Sequence, residues 1–529
     1  MTARDCGLAI CASISLAASV AAAQERPRED ELFGGVPDAG VRAPASGSGT
    51  ESTSARPDES ELFGKPSPDA GTPPTEAKPT ASPTPAKEKP AAETQDDQGL
   101  ASAASKDLFA TEPGRDNPLQ IGGQIYLRAL AQAAENVSAA NTRFLLPAIV
   151  DGFFDARPSE RVRGMILARL TYDPTINSST DNNAINSSAE NNALGVATTS
   201  NPAVLLDQLW VNFDILRTVF VTAGKQHVKW GVSRFWNPTD FLSPQRRNPL
   251  NVFDARLGAS MLKLHLPSEH GWNLYAIGLF DNAGPASTLG QIGGAFRGEI
   301  AIGRGEIGAE AVFQKGRRPR FGLDASTAIG AFDVYLEVAL QKGSDLVFFR
   351  PASQPNPLLG LAGQFESYGP TDVLVGASGG INRTIVFGEN NDLILGAEYF
   401  YNSSGYDSAS IYPWLILQGA FQPFYVGKHY GAIYATFTSP TLLGENTSLV
   451  LSNLANLSDQ SLITRLDYLT RVLTYLYVEA FVDVHYGSRG GEFRFGADIP
   501  SQQIGDRTIP AITIPYPTFD LGLGVRIKI

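Results

Sequence analysis

From Pro118 onward the chain alternates apolar and polar side chains in short segments separated by Gly, Asn, Asp and Pro. The C-terminal segment is the cleanest. Phe519, Leu521, Leu523, Val525, Ile527 and Ile529 share one face, opposed by Asp520, Gly522, Gly524, Arg526 and Lys528. Successive side chains of a strand point to opposite faces, so this period of two predicts a strand between an apolar and a wet environment. Phe332, Val334, Leu336, Val338 and Leu340 likewise oppose Asp333, Tyr335, Glu337 and Gln341. Ile307, Ala309, Ala311 and Phe313 oppose Glu306, Glu310 and Gln314; Phe296, Ile300 and Ile302 oppose Arg297 and Glu299; Val162, Ile166 and Leu170 oppose Arg161, Arg163 and Arg169. From Asp372 to Phe387 the alternation fades and its phase cannot be assigned. No apolar run approaches the roughly 20 residues that a membrane-crossing helix requires.

The connections alternate in length. Short turns are expected at Ala156 to Ser159, Leu216-Arg217, Arg304-Gly305, Gly330 and Glu389 to Asn391. Long loops are expected at Asp173 to Pro202, Trp230 to Asp254, Asp281 to Ile292, Lys342 to Gln364, Asn402 to Gly427 and Gly487 to Pro517. Outer-membrane barrels combine short periplasmic turns with long external loops. The expected fold is therefore all-β, one antiparallel transmembrane β-barrel over 118–529 with about eighteen strands (sixteen as the alternative) and both ends periplasmic.

The N-terminal part reads differently. Arg4, the apolar stretch Gly7 to Val20 and Ala21-Ala22-Ala23 follow the grammar of a secretory signal peptide over 1–23, which implies export and, together with the barrel pattern, the outer membrane of a Gram-negative bacterium. Cleavage there removes Cys6 and Cys11, the two cysteines of the chain, and with them any disulfide or thiol chemistry. Residues 24–117 are rich in Pro, Ala, Ser and Thr and poor in aromatics, so a disordered periplasmic arm is expected. A short motif repeats within it: Glu31-Leu32-Phe33-Gly34, then Glu61-Leu62-Phe63-Gly64, then Asp107-Leu108-Phe109. Leu32, Phe33, Leu62, Phe63, Leu108 and Phe109 are candidates for docking a periplasmic protein, unless the copies are duplicated linker. A net charge of −12 argues against a nucleic-acid partner.

The most distinctive local sequence runs Gly224-Lys225-Gln226-His227-Val228-Lys229-Trp230-Gly231, followed by Phe235-Trp236-Asn237-Pro238-Thr239-Asp240 and Ser243-Pro244. This strand-end pattern (Gly-basic-Gln, Trp-Gly, Asn-Pro-x-Asp, a later Pro) resembles that of a broad group of bacterial porin-like barrels, the alginate-export and substrate-selective porins. Carried here by Gly224, Gln226, Trp230, Gly231, Asn237, Pro238, Asp240 and Pro244, the resemblance implies about eighteen strands and passive diffusion of small solutes. It covers some twenty residues and names no substrate. The arm has no counterpart in that group, and Ile529 stands where such barrels usually end in Phe.

The apolar parity of Val219, Val221 and Ala223 runs into Lys225, His227 and Lys229, so a bulge near Gly224 or an exit from the membrane is required. Lys225, Lys229, Arg234, Arg246 and Arg247 are candidates for a cationic constriction that favours anions; the competing reading is a structural loop plug with solvated charges. Arg128, Arg163, Arg169 and Arg297 are expected to face the lumen with Glu299, Glu306, Glu310 and Glu337. Trp230 and Trp236 are expected as interface or loop-packing aromatics. Gly376-Ala377-Ser378-Gly379-Gly380 matches a nucleophile elbow but lacks the helix that such a turn needs. The five histidines show no ligand spacing, and the Asn-rich run Asn177 to Asn192 is a weak Ca²⁺ candidate. Neither cofactor nor catalysis is expected. The partners expected are outer-membrane lipid, small hydrophilic solutes and, through the arm, a periplasmic protein. A structural or anchoring barrel is the alternative function, and a lipid-acting barrel enzyme a third.

Overall fold

The computed structural model describes residues 118–176, 201–243, 245–251, 256–281, 288–356, 363–387, 391–438, 446–499, 502–504, 507–509 and 512–529. The leader, the arm with its Leu-Phe repeats, the Asn-rich run and Pro244 lie outside these residues.

Eighteen antiparallel strands form the wall: β1 (Leu119–Ala134), β2 (Ala148–Ser159), β3 (Val162–Tyr172), β4 (Ala203–Ile215), β5 (Val219–Gln226) and β6 (Ala259–Pro267). They continue as β7 (Trp272–Leu279), β8 (Gly293–Ile302), β9 (Gly305–Phe313), β10 (Arg320–Ile329), β11 (Phe332–Lys342) and β12 (Val373–Phe387). The last are β13 (Asn391–Asn402), β14 (His429–Thr438), β15 (Thr447–Asn456), β16 (Ser461–Leu473), β17 (Leu476–Gly487) and β18 (Pro517–Lys528). Each pairs with its sequence neighbours, and β18 closes onto β1 from Gln124↔Lys528 to Ala134↔Pro517. A short strand, Arg143–Leu145, extends the top of β1. Closure leaves the wall without an unpaired edge, which is the condition for strands in hydrocarbon.

The alternation read from the sequence sets the two faces. On β18 Phe519, Leu521, Leu523, Val525 and Ile527 are exposed outward, while Arg526 and Lys528 are buried inside. The outer face is an apolar belt with aromatics towards its ends, such as the stacked pair Phe387 and Phe437 below and Phe313 against Phe321 above. Both described ends lie on the short-turn side, where Gly123 donates to the Ile529 carbonyl at 3.0 Å.

Four expectations need adjustment, the first being the loop expected over Lys342 to Gln364, which runs on to Asp372 before β12 starts at Val373. The turn placed at Ala156 to Ser159 falls later, because a bulge lets β2 pair as far as Ser159↔Val162. The loop expected over Trp230 to Asp254 spans 227–258, since β5 ends at Gln226 and β6 starts at Ala259. The stretch of uncertain phase is a full strand, β12, with Ser378 buried inside and Ile381 exposed outside.

Candidate functional site

Loop 227–258 folds into the barrel instead of standing above it. At its start Gly224 adopts φ +128°, and a side chain there would meet the Trp210 Cα at 2.8 Å, yet the ladders on both sides run through it without a shift, so no bulge forms there and the parity conflict is met by the chain leaving the wall after Gln226. A bulge in β4 inserts Asp207 and turns both Asp207 and Gln208 inward. Asp207 then ties both feet of the loop: its Oδ1 lies 2.9 Å from His227 Nε2 and accepts the Gly258 N–H at 3.3 Å. Gln226 donates to the Thr222 and Met261 carbonyls at 3.2 and 3.4 Å.

Beyond its foot the loop crosses the bore. Trp230 packs with Leu242, Met261, Ile277, Leu279, Ala295 and Val312, most of them on β6 to β9. At Gly231 (φ +93°) a Cβ would lie 2.6 Å from the Glu337 carboxylate. Glu337, on β11, accepts the Val232 and Ser233 N–H groups and the Thr239 hydroxyl, the last at 2.9 Å. Glu398, on β13, accepts three consecutive N–H groups, from Arg234 at 2.8 Å, Phe235 at 3.1 Å and Trp236 at 2.8 Å. Tyr335 and Ser378 donate hydroxyls to the same carboxylate at 2.7 and 3.2 Å.

Irregular backbone inside a barrel leaves polar groups that no ladder satisfies, and two inward carboxylates satisfy them here. Further on, Phe235 meets Tyr434 edge-to-face (centroids 5.5 Å), and the Arg234 guanidinium lies 3.9 Å over the same ring. Tyr434 belongs to β14, half-way round an eighteen-strand cylinder from β5. The loop therefore spans the bore and is fastened to the opposite wall.

The fold resembles that of the bacterial outer-membrane porins.

Among solved structures, OccAB1 of Acinetobacter baumannii aligns with 78% of this chain and 97% of its own at 9% identity and a TM-score of 0.43. OccK11 (OpdR) of Pseudomonas aeruginosa aligns with 78% of this chain and 96% of its own at 9% identity and a TM-score of 0.44. A triple mutant of the Rhodopseudomonas blastica porin aligns with 78% of this chain and 100% of its own at 9% identity and a TM-score of 0.36. No protein-family model and no curated protein matches the sequence. The likeness is one of architecture. The closed wall and its apolar belt independently make the chain an outer-membrane protein.

Within this porin-like bore the motif residues have separate tasks. Pro238 lies against β12, where a Cβ on Gly376 would be 3.1 Å from its ring. Asp240 pairs with Arg256 at 2.7 Å and accepts the Ser243 hydroxyl at 2.9 Å. Asn237 is buried beside Gly231. The elbow-like Gly376 to Gly380 segment is the bed beneath the loop, and its Ser378 hydroxyl is engaged by Glu398.

The candidate charges fall into groups. Arg247 is buried within the loop and reaches the Ser233 carbonyl at 3.5 Å, whereas exposed Arg246 lies 4.7 Å over Tyr425. Lys229 is half-buried at the foot, whereas Lys225, expected at the constriction, stands on the outer face of the wall, because it pairs directly with outward Leu209. Elsewhere on the wall Arg163 pairs with Asp155 at 3.0 Å and Arg169 with Asp151 at 2.7 Å, while Arg128 lies 4.3 Å over Phe481. Arg297 pairs with Glu299 at 2.7 Å, Asp324 at 2.6 Å and Glu310. Glu306 is half-buried near the lower end of β9. Glu337 does not face open solution but lies under the loop.

Glu398 and Asp207 were not singled out from the sequence. Each had a signal: Glu398 is a carboxylate two residues from Gly396 at inward parity, and Asp207 directly precedes the polar Gln208 in an alternating segment.

Above the bore, loop 403–428 carries a short helix, α1 (Tyr412–Leu417), and packs against loop 488–516. Glu492, buried between them, accepts from the Phe424 N–H, from Tyr430 Oη at 2.6 Å and from Asn456 Nδ2 at 2.8 Å, while its own N–H donates to Asp459 at 2.8 Å. Burial, with the Asp459 carboxylate beside it, raises its pKa from 4.5 to about 8. The folded state thus binds a proton that the unfolded segment releases. The contribution to loop packing is full below pH 4.5 and is lost as pH rises through about 8. Protease sensitivity of loops 403–428 and 488–516 is expected to increase over that interval, and Glu492→Gln to flatten the dependence.

Proposed function

We propose that the chain is an outer-membrane channel for passive diffusion of small hydrophilic solutes, leaning towards anions. The observation that carries this reading is loop 227–258, fixed across the bore by Glu337 and Glu398. A folded-in loop narrows a wide barrel to a filter without an energy-coupling part. The wall supports the reading, because it sets charged groups inside and an apolar belt outside. The lean towards anions rests on Arg246, exposed on the loop, and on Lys229 at its foot, whereas the Glu337 and Glu398 carboxylates are covered by backbone N–H groups. No catalytic role is assigned to Ser378, since its hydroxyl is bonded to Glu398. The anchoring alternative draws on the repeated Leu-Phe pairs of the arm, which would serve a periplasmic partner.

The test is single-channel recording in a planar bilayer under a KCl gradient. A stable conductance with a reversal potential on the chloride side is expected, and Arg246→Ser should move that potential towards zero. Absence of conductance would favour the anchoring barrel; marked cation preference would remove the anion lean and leave the channel.

A further inference from the structure

Charge is spread unevenly over the external rim. The whole chain carries −12, yet loop 314–319 between β9 and β10 reads Gln314-Lys315-Gly316-Arg317-Arg318-Pro319, and Lys342 ends β11 close by. Lys315, Arg317, Arg318 and Lys342 are all exposed. Arg318 brings the two segments together. Its N–H donates to Asp345 Oδ1 at 2.9 Å, and its guanidinium lies across Gly343, where a Cβ would be 2.9 Å from the Arg318 Cζ. Two acids accompany the four cations: Asp345, and exposed Asp372, whose carbonyl accepts the Gly343 N–H at 2.8 Å.

The level of this patch matters as much as its sign. Directly beneath it Phe313, the last residue of β9, and Phe321, near the start of β10, are exposed on the outer face (43% and 47%) and meet edge-to-face at 5.9 Å. Aromatics in that position mark where acyl chains give way to head groups. A short connection stays above the wall that it joins, so its cations stand at head-group height on the long-loop side of the barrel. Guanidinium groups there match phosphate geometrically, two N–H groups to two oxygens, and lysines add unspecific charge.

We infer that Lys315, Arg317, Arg318 and Lys342 form a docking surface for the phosphorylated head group of an outer-leaflet lipid. The inference depends on the membrane placement of the barrel and is independent of what passes through it. Phosphate oxygens lie between Arg317 and Arg318, and the lipid's chains run down over Phe313 and Phe321.

The experiment uses the full chain in a neutral detergent, titrated with bis-phosphorylated lipid A, with dephosphorylated lipid A and with inorganic phosphate. Bound lipid is read by native mass spectrometry. The phosphorylated lipid is expected to bind at least about ten-fold tighter than its dephosphorylated form, a preference that K315S/R317S/R318S/K342S abolishes. Arg350→Ser, at an exposed cation already paired with Glu366 at 2.8 Å, should leave it unchanged. Heat-modifiable migration on a gel confirms that each variant retains the barrel. Equal binding of both lipids, equal binding by the quadruple variant, or the same loss in Arg350→Ser would overturn the assignment. Full competition by inorganic phosphate at equal concentration would reduce the patch to a simple anion site and overturn it too. So would a quadruple variant that shifts the reversal potential of the channel while binding lipid normally, since the cations would then serve the permeating ions.

Discussion

Glu398→Ala is expected to release the bore loop and raise single-channel conductance several-fold while the barrel itself stays folded. The carboxylate accepts the N–H groups of Arg234, Phe235 and Trp236 and the hydroxyls of Tyr335 and Ser378. Removing it strands three consecutive buried donors, each costing about 1–3 kcal/mol if no water reaches it. The loop avoids that cost by leaving the bore for solvent. The wall has no such incentive, because β12, β13 and β14 are joined by backbone ladders that the substitution does not touch. Glu398→Gln keeps one acceptor oxygen and should give an intermediate conductance. If Glu398→Ala conducted like the parent protein with unchanged reversal potential, the clasp would have no part in setting the filter.

Trp236→Ala should have the next largest effect, and a different one. Trp236 is fully buried, stacked on Phe400 (centroids 5.8 Å, planes 12° apart) and 5.4 Å from Tyr430, and its Nε1 donates to the Phe424 carbonyl at 2.9 Å. Losing a buried indole typically costs 3–5 kcal/mol, roughly the scale on which a docked loop stays docked. Since Phe424 lies in loop 403–428, the indole also couples the bore loop to the cap above it. The expected result is rapid conductance flicker, together with proteolysis within both loops. Trp236→Phe retains a stacked ring and loses the Nε1 bond, so its effect should be smaller than that of the alanine change, about 1 kcal/mol. Steady conductance and intact loops in Trp236→Ala would mean that the loop is held by the carboxylates alone.

The wall was largely legible beforehand, because each strand announces itself by its own alternation. Val162, Ile166 and Leu170 face outward as their spacing demanded, and so do Ile307, Leu336 and the whole terminal series to Ile527. Where the pattern blurred, the structure supplies the cause. On β12 the inward positions Gly376 and Gly380 are small because Pro238 and the Tyr335 ring occupy the space that their side chains would fill. A glycine on the wet face erases the polar half of the alternation.

The motif around Trp230 was legible as something special, but not as what it is. Its glycines, prolines and Asp240 gave the chemistry of a tight loop without its destination. That destination depends on Glu398, some 164 residues from Arg234 in the chain. Nothing near either residue records the encounter.

The sequence by itself determined that strands form, which faces are apolar and how hairpins alternate, because a period of two and turn chemistry are local properties. Only the tertiary structure decided that loop 227–258 lies inside the bore, which carboxylates hold it and which cations remain exposed. Those outcomes follow from closing the cylinder: closure brings β5 and β14 to opposite sides of one narrow space, and a loop within it must find its hydrogen-bond partners on whichever wall it meets.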